Sequence, residues 1–77
     1  MTQEELLELL HKQMGDKLDQ ASIKEQPQAD LLEAGLDSMG VFFLLDDLAQ
    51  KGYQLEFTDF IAQPTLAYLM EATQGES

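Results

Sequence analysis

The 77-residue chain has no cysteine, no arginine and a single histidine, and each shortage closes off a class of chemistry. Without cysteine there is no disulfide and no thiolate metal site. Cations are scarce. Four lysines face fifteen Asp and Glu, giving a formal net charge of −11 that repels phosphate backbones and anionic lipid heads. Neither nucleic acid nor a membrane is therefore expected as a partner. The same charge suits basic-faced protein partners drawn in by long-range attraction, and it equally suits simple solubility. The first residues, Met1-Thr2-Gln3-Glu4-Glu5, lack the basic and apolar regions of a signal peptide, so a cytoplasmic location is the default expectation. A chain of this length makes one domain, residues 1–77, and buries only about 60% of the surface its unfolded form exposes. Little core is left over for an enclosed active site, and catalysis by the chain alone is not expected.

Helical spacing dominates what remains. Over residues 2–14 the apolar positions Leu6, Leu7, Leu10 and Met14 recur at helical intervals, while Glu4, Glu5 and Glu8 occupy the early turns where acids favour the helix dipole. Gly15 ends that helix. Residues 16–37 form a long connection containing Gln26-Pro27 and Gly35, which must pack down or do a job in so small a domain. Ile23, Leu31, Leu32 and Leu36 are available to pin it to the core. A second helix is predicted over residues 38–51, stopping at Gly52. Thr58 is placed as the cap of a short third helix running to Ile61 and anchored by Phe57 and Phe60. Pro64 is placed at the first position of a last helix whose apolar side is Leu66, Leu69 and Met70. The fold class expected is all-α, a small four-helix bundle with three main helices, a short third helix and a long first loop.

The second helix is more apolar than a bundle needs. At about 100° per residue, Val41, Leu44, Leu45 and Leu48 fall on one side and are assigned to the core. Met39, Phe42 and Phe43, with Asp46, fall on the opposite side. Met39 and Phe42 are read as an exposed partner surface, and Phe43 lies either in that patch or under the long loop. At the start of the helix, Asp37 is a good N-cap, which makes Ser38 the first helical residue, close to unpaired N–H groups that favour a covalently attached anion. On the Asp-Ser pair alone, plain capping is the preferred reading. No base stands beside the serine in sequence: His11 belongs to the first helix, and Ser38 lacks the glycine two positions earlier that a nucleophile elbow uses. The acids form no alternating loop ending in a bidentate Glu, so no metal site is predicted.

The segment Asp30-Leu31-Leu32-Glu33-Ala34-Gly35-Leu36-Asp37-Ser38-Met39 decides the matter. It resembles the attachment motif of the phosphopantetheine-dependent carrier proteins, in which an Asp-Leu pair leads through a short spacer to Gly-x-Asp-Ser and then Leu or Met. Pro64-Thr65-Leu66 is similar to the Pro-Thr that often introduces the family's last helix. The resemblance implies an acyl-carrier-like bundle with 4′-phosphopantetheine, taken from coenzyme A, on Ser38, and with Asp37 part of the recognised motif. It implies a non-catalytic chain that is the substrate of a phosphopantetheinyl transferase. Its further partners would be an adenylation or acyl-loading enzyme and condensation, ketosynthase or thioesterase domains. Their contact surface maps onto Leu36, Met39, Phe42, Phe57 and Ile61, and the protein is expected to be a monomer.

Fatty-acid carriers tend to carry acids close behind the serine, whereas Met39, Gly40, Val41, Phe42 and Phe43 follow it here. That departure makes the chain look more like a peptidyl or aryl carrier of nonribosomal peptide assembly, siderophore lines included. Asp46, Asp47 and the overall acidity keep acyl and D-alanyl carriers open. With only Gly75-Glu76-Ser77 as a tail, a free-standing carrier working in trans is expected unless the chain is an excised domain. A cofactor-free acidic adaptor using the same patch is the rival from another class, and modification at Ser38 separates the two.

Overall fold

Thr2 sets the start of the first helix, α1 (Gln3–Met14): its hydroxyl accepts from the Glu5 N–H at 3.2 Å while the Glu5 carboxylate accepts from the Thr2 N–H at 2.9 Å. This reciprocal capping box satisfies two otherwise orphaned donors, and the bond from the Thr2 N–H holds the Glu5 carboxyl below the usual carboxylate range. The computed structural model describes residues 1–74; Gly75-Glu76-Ser77, the tail on which the free-standing reading leans, lie outside the described residues. Gly15 closes α1 at φ 60°, and a 3₁₀ turn, Gly15–Lys17, follows.

The long connection is not without structure. Asp19 caps an additional short helix, α2 (Gln20–Glu25), by accepting from the Ser22 N–H at 3.1 Å. Spacing alone did not reveal it, because six residues with one buried apolar side chain, Ile23, carry no period. The rest of the connection is tied across the fold by two backbone bonds, Leu31 N–H to the Pro64 carbonyl at 2.7 Å and Ala67 N–H to the Pro27 carbonyl at 2.9 Å. Ile23, Leu31 and Leu36 are buried and Leu32 is half-buried, so the pinning residues do pin.

The predicted second helix is α3 (Ser38–Gln50). It ends in a Schellman arrangement, with Gly52 at φ 98° donating to the Ala49 carbonyl at 3.0 Å and Tyr53 donating to the Leu48 carbonyl at 2.9 Å. Two caps differ from expectation. The short helix α4 (Phe57–Ala62) has Glu56 as its N-cap without a side-chain bond, which places Thr58 inside the first turn. The last helix, α5 (Leu66–Ala72), is capped by Thr65, whose hydroxyl accepts from the Tyr68 N–H at 3.1 Å. Pro64 therefore stands before the helix, with its carbonyl engaged by Leu31.

The α1 helix packs on α3 and α5, and Leu6, Leu10, Leu44, Leu48, Phe60, Leu66 and Leu69 close the centre with no exposed surface. Two surface ion pairs, Lys12–Asp47 at 3.1 Å and Lys24–Glu4 at 3.6 Å, tie α1 to α3 and to α2. Pairs so exposed contribute about 0–1 kcal/mol each, so the apolar centre holds the bundle together. The described residues form no strand, and no helix among them is long and apolar enough to cross a membrane. The architecture is the expected all-α, acyl-carrier-like bundle with one extra short helix.

Candidate functional site

The loop before α3 is built by its own side chains. The Asp30 carboxylate accepts from the N–H groups of Leu32 at 2.8 Å and Glu33 at 3.3 Å, folding a turn that sends Leu31 into the core. Gly35 then takes φ +126°, a backbone angle that favours glycine, and a Cβ there would lie 3.0 Å from the Cδ of the exposed Lys17, whose stem would have to give by a few tenths of an ångström. Leu36 donates back to the Leu31 carbonyl at 3.0 Å, which delivers Asp37 to the N-cap of α3.

Asp37 does the capping: its carboxylate accepts from the Gly40 N–H at 2.8 Å, and its carbonyl accepts the first helical bond, from Val41, at 2.9 Å. Ser38 is thereby released from structural duty. It is exposed, it is the first residue of a 13-residue helix, and its hydroxyl makes no hydrogen bond among the described residues. The opening N–H groups of such a helix have no partner within it, and the positive end of the dipole favours an anion at this position. The arrangement fits a phosphodiester on the Ser38 Oγ, because the oxygen is accessible, uncommitted and set where negative charge is stabilised.

Gly40, which helical spacing does not mark, is a second tight point of the local packing. It is buried, and a Cβ on it would lie 2.8 Å from the Leu36 Cδ1, 3.1 Å from the Asp37 Oδ1 and 3.5 Å from the Gln13 Cβ. Gly35 and Gly40 thus bracket the serine at the two points where the end of α1 and its following turn press against the start of α3 and the loop before it. The available signal was a glycine one turn into an otherwise apolar helix, a place where glycine costs stability and so asks for a packing reason.

Beside the serine the apolar face is open. Met39 is 62%, Phe42 55% and Phe43 53% exposed, and Ile61 on α4 joins them at 37%. The long loop leaves Phe43 uncovered. Phe57, half-buried, stacks on Phe42 with ring centroids 4.6 Å apart and planes 11° from parallel, so α3 and α4 offer one continuous surface. Leu36 does not belong to it. Expected on the partner surface, Leu36 is 3% exposed and packs its methyl over Gly40, because the turn at Gly35 directs it inward. An open groove lined by Pro27, Gln63, Thr65, Tyr68 and Glu71 holds none of the predicted site residues. Burial, with smaller contributions from Asp59 and Glu56, pushes the Tyr68 phenol upward there.

A family model described as the phosphopantetheine attachment site matches residues 4–72 of the chain. Comparison with curated proteins gives no match, and comparison with solved structures gives none.

Proposed function

Because the chain belongs to the phosphopantetheine attachment-site family, we propose that Ser38 is the residue to which its 4′-phosphopantetheine arm is joined, with residues 1–77 acting as one carrier domain. Family membership makes the protein a carrier bearing that arm, and carriers of this kind are generally non-catalytic substrates of phosphopantetheinyl transferases. The observation that supports Ser38 is the division of labour at the start of α3: Asp37 holds the cap and leaves the serine hydroxyl exposed and uncommitted.

In the attachment step the Ser38 Oγ attacks the phosphorus of coenzyme A that bears the pantetheine. An O–P bond forms, the bond to the nucleotide phosphate breaks, and the hydroxyl proton passes to a base on the transferase. When bound, the arm supplies a terminal thiol that holds an acyl, aryl or aminoacyl group as a thioester. The chain's own part is to present the oxygen at a rigid helix start and to offer partners the surface of Met39, Phe42, Phe57 and Ile61.

The branch we favour is a peptidyl or aryl carrier of nonribosomal peptide assembly, siderophore-type lines included, with adenylation and condensation or thioesterase domains as partners. Its support is the character of α3 behind the serine. The exposed positions there are apolar, and the two acids farther along are engaged, Asp47 with Lys12 at 3.1 Å and Asp46 with the Gln50 amide at 3.0 Å. A partner reading this helix meets rings and a thioether before it meets charge.

The test is to incubate the purified chain with coenzyme A and a broad-specificity phosphopantetheinyl transferase, then measure intact mass beside Ser38→Ala. One phosphopantetheine unit gained by the parent and none by the variant is the expected result. A gain in both would move the site elsewhere. No gain in a folded parent would overturn the assignment and favour the cofactor-free adaptor.

A further inference from the structure

The carrier reading brings a phosphodiester anion into a molecule that is already at net charge −11, and to a segment with Asp30, Glu33 and Asp37 close by in sequence. Four lysines are available to balance it. Lys12 is paired with Asp47 and Lys24 with Glu4. Lys51 follows the far end of α3, thirteen residues and about 20 Å from the serine at 1.5 Å per residue. Lys17 alone stands at the serine's end. Its Cβ, Cγ and Cδ lie 3.1, 3.5 and 3.0 Å from where a Gly35 Cβ would be, so the stem is laid along the loop three residues before Ser38, with the ammonium two bonds beyond. Lys17 is exposed and makes no ion pair among the described residues, although fifteen acids are present in the chain.

We infer that Lys17 is a positioning residue for the phosphodiester on Ser38, a counter-charge held over the attachment loop by the glycine at position 35. This rests on Ser38 being the attachment residue. The Gly35 backbone gains a second meaning from it. Besides permitting φ +126°, the missing Cβ opens the track along which the lysine stem lies. Before modification the ammonium has no ion-pair partner among the described residues. After it, one anion is anchored three residues beyond the glycine that the stem lies along, and the lysine restrains the root of an arm that is otherwise free to swing.

The experiment is a cycle of apo and holo protein, each as the parent, Lys17→Met and Lys17→Arg, with intact mass confirming modification. Thermal unfolding is followed at low salt and again at about 1 M, where charges farther apart than about 3 Å are screened. Modification should stabilise the parent relative to Lys17→Met by up to about five-fold in the folding equilibrium constant, the scale of an exposed ion pair. Lys17→Arg should keep that gain, and high salt should erase it. In the parent, the Lys17 side-chain methylene signals in NMR spectra should shift from apo to holo, a readout that does not depend on a variant folding well. Equal holo-minus-apo differences in parent and Lys17→Met, with unmoved Lys17 signals, would overturn the inference while leaving Ser38 as the attachment site. Absence of the mass gain in the parent would remove both.

Discussion

Along α3, Val41, Leu44, Leu45 and Leu48 lie at 0–9% exposure, whereas Met39, Phe42 and Phe43 on the opposite side lie at 53–62%. Both sets of side chains are apolar, and their burial is opposite. Full burial of a side chain of this size contributes about 1.5–3 kcal/mol, so a small domain forgoes a substantial part of its available stability by leaving three of them half in water. The patch sits at the serine's end of the helix, and Phe57 braces Phe42 from α4. One face holds the bundle together; the other stays apolar and open to solvent. Apolarity in a helix this short therefore does not identify the core, but position on the wheel relative to the other elements does.

The comparison breaks first at the buried face. Leu44 has no exposed surface, and Leu44→Ala should cost about 2–5 kcal/mol, enough to unfold much of a domain this size. Denaturant unfolding followed by helical circular dichroism measures it. A loss below about 1 kcal/mol would mean that the two faces are not energetically distinct.

Gly40 tests the seam between the faces. In an exposed helix Gly→Ala gains about 0.5–1 kcal/mol, but here the added methyl would lie 2.8 Å from the Leu36 Cδ1 and 3.1 Å from the capping Asp37 oxygen. Overpacking costs about 1–3 kcal/mol, so Gly40→Ala should lose about 1 kcal/mol net in unfolding free energy, seen as a lower unfolding midpoint, with slower modification of Ser38 because the cap is displaced. A stabilised variant would show that Leu36 yields easily.

How much of this was legible beforehand follows from what each signal depends on. The Asp37 cap, the first helical place of Ser38 and the two faces of α3 rest on local chemistry and a regular 100° step, and the structure has them as read. Leu36 rests on neither. In a loop no period says which way a side chain turns, and its burial is set by Gly40, four residues on, and by the turn that Gly35 permits. Pro64 was displaced from α5 by a contact across the fold, since its carbonyl receives the Leu31 N–H, while Thr65 supplied a better cap. The closeness of Lys17 to Gly35, eighteen positions apart in sequence, is a tertiary fact that no window of residues contains.

On the exposed face, Phe42→Ala removes a stacked ring that is already half in water. Aromatic pairs contribute about 0.5–1.5 kcal/mol, so the loss should stay near 1 kcal/mol, well below the about 3–5 kcal/mol of a truncated core phenylalanine. The kcat/KM of the transferase for the chain should fall more than stability does. A melting temperature lowered as far as by Leu44→Ala would place Phe42 in the core and erase the distinction between the faces.

The smallest expected change is the most discriminating. Ser38→Ala removes a hydroxyl that is exposed and makes no hydrogen bond among the described residues, while the cap stays with Asp37 at 2.8 Å from the Gly40 nitrogen. Alanine is the better helix former, so the variant should match the parent within a few tenths of a kcal/mol and lean towards higher stability. Its mass after treatment with coenzyme A and transferase should be unchanged. A loss of about 1 kcal/mol would show that the hydroxyl shares the cap. The serine would then belong to the structural side of the helix rather than to the face held open for chemistry, because a side chain that supports the fold cannot be given over to a cofactor without cost.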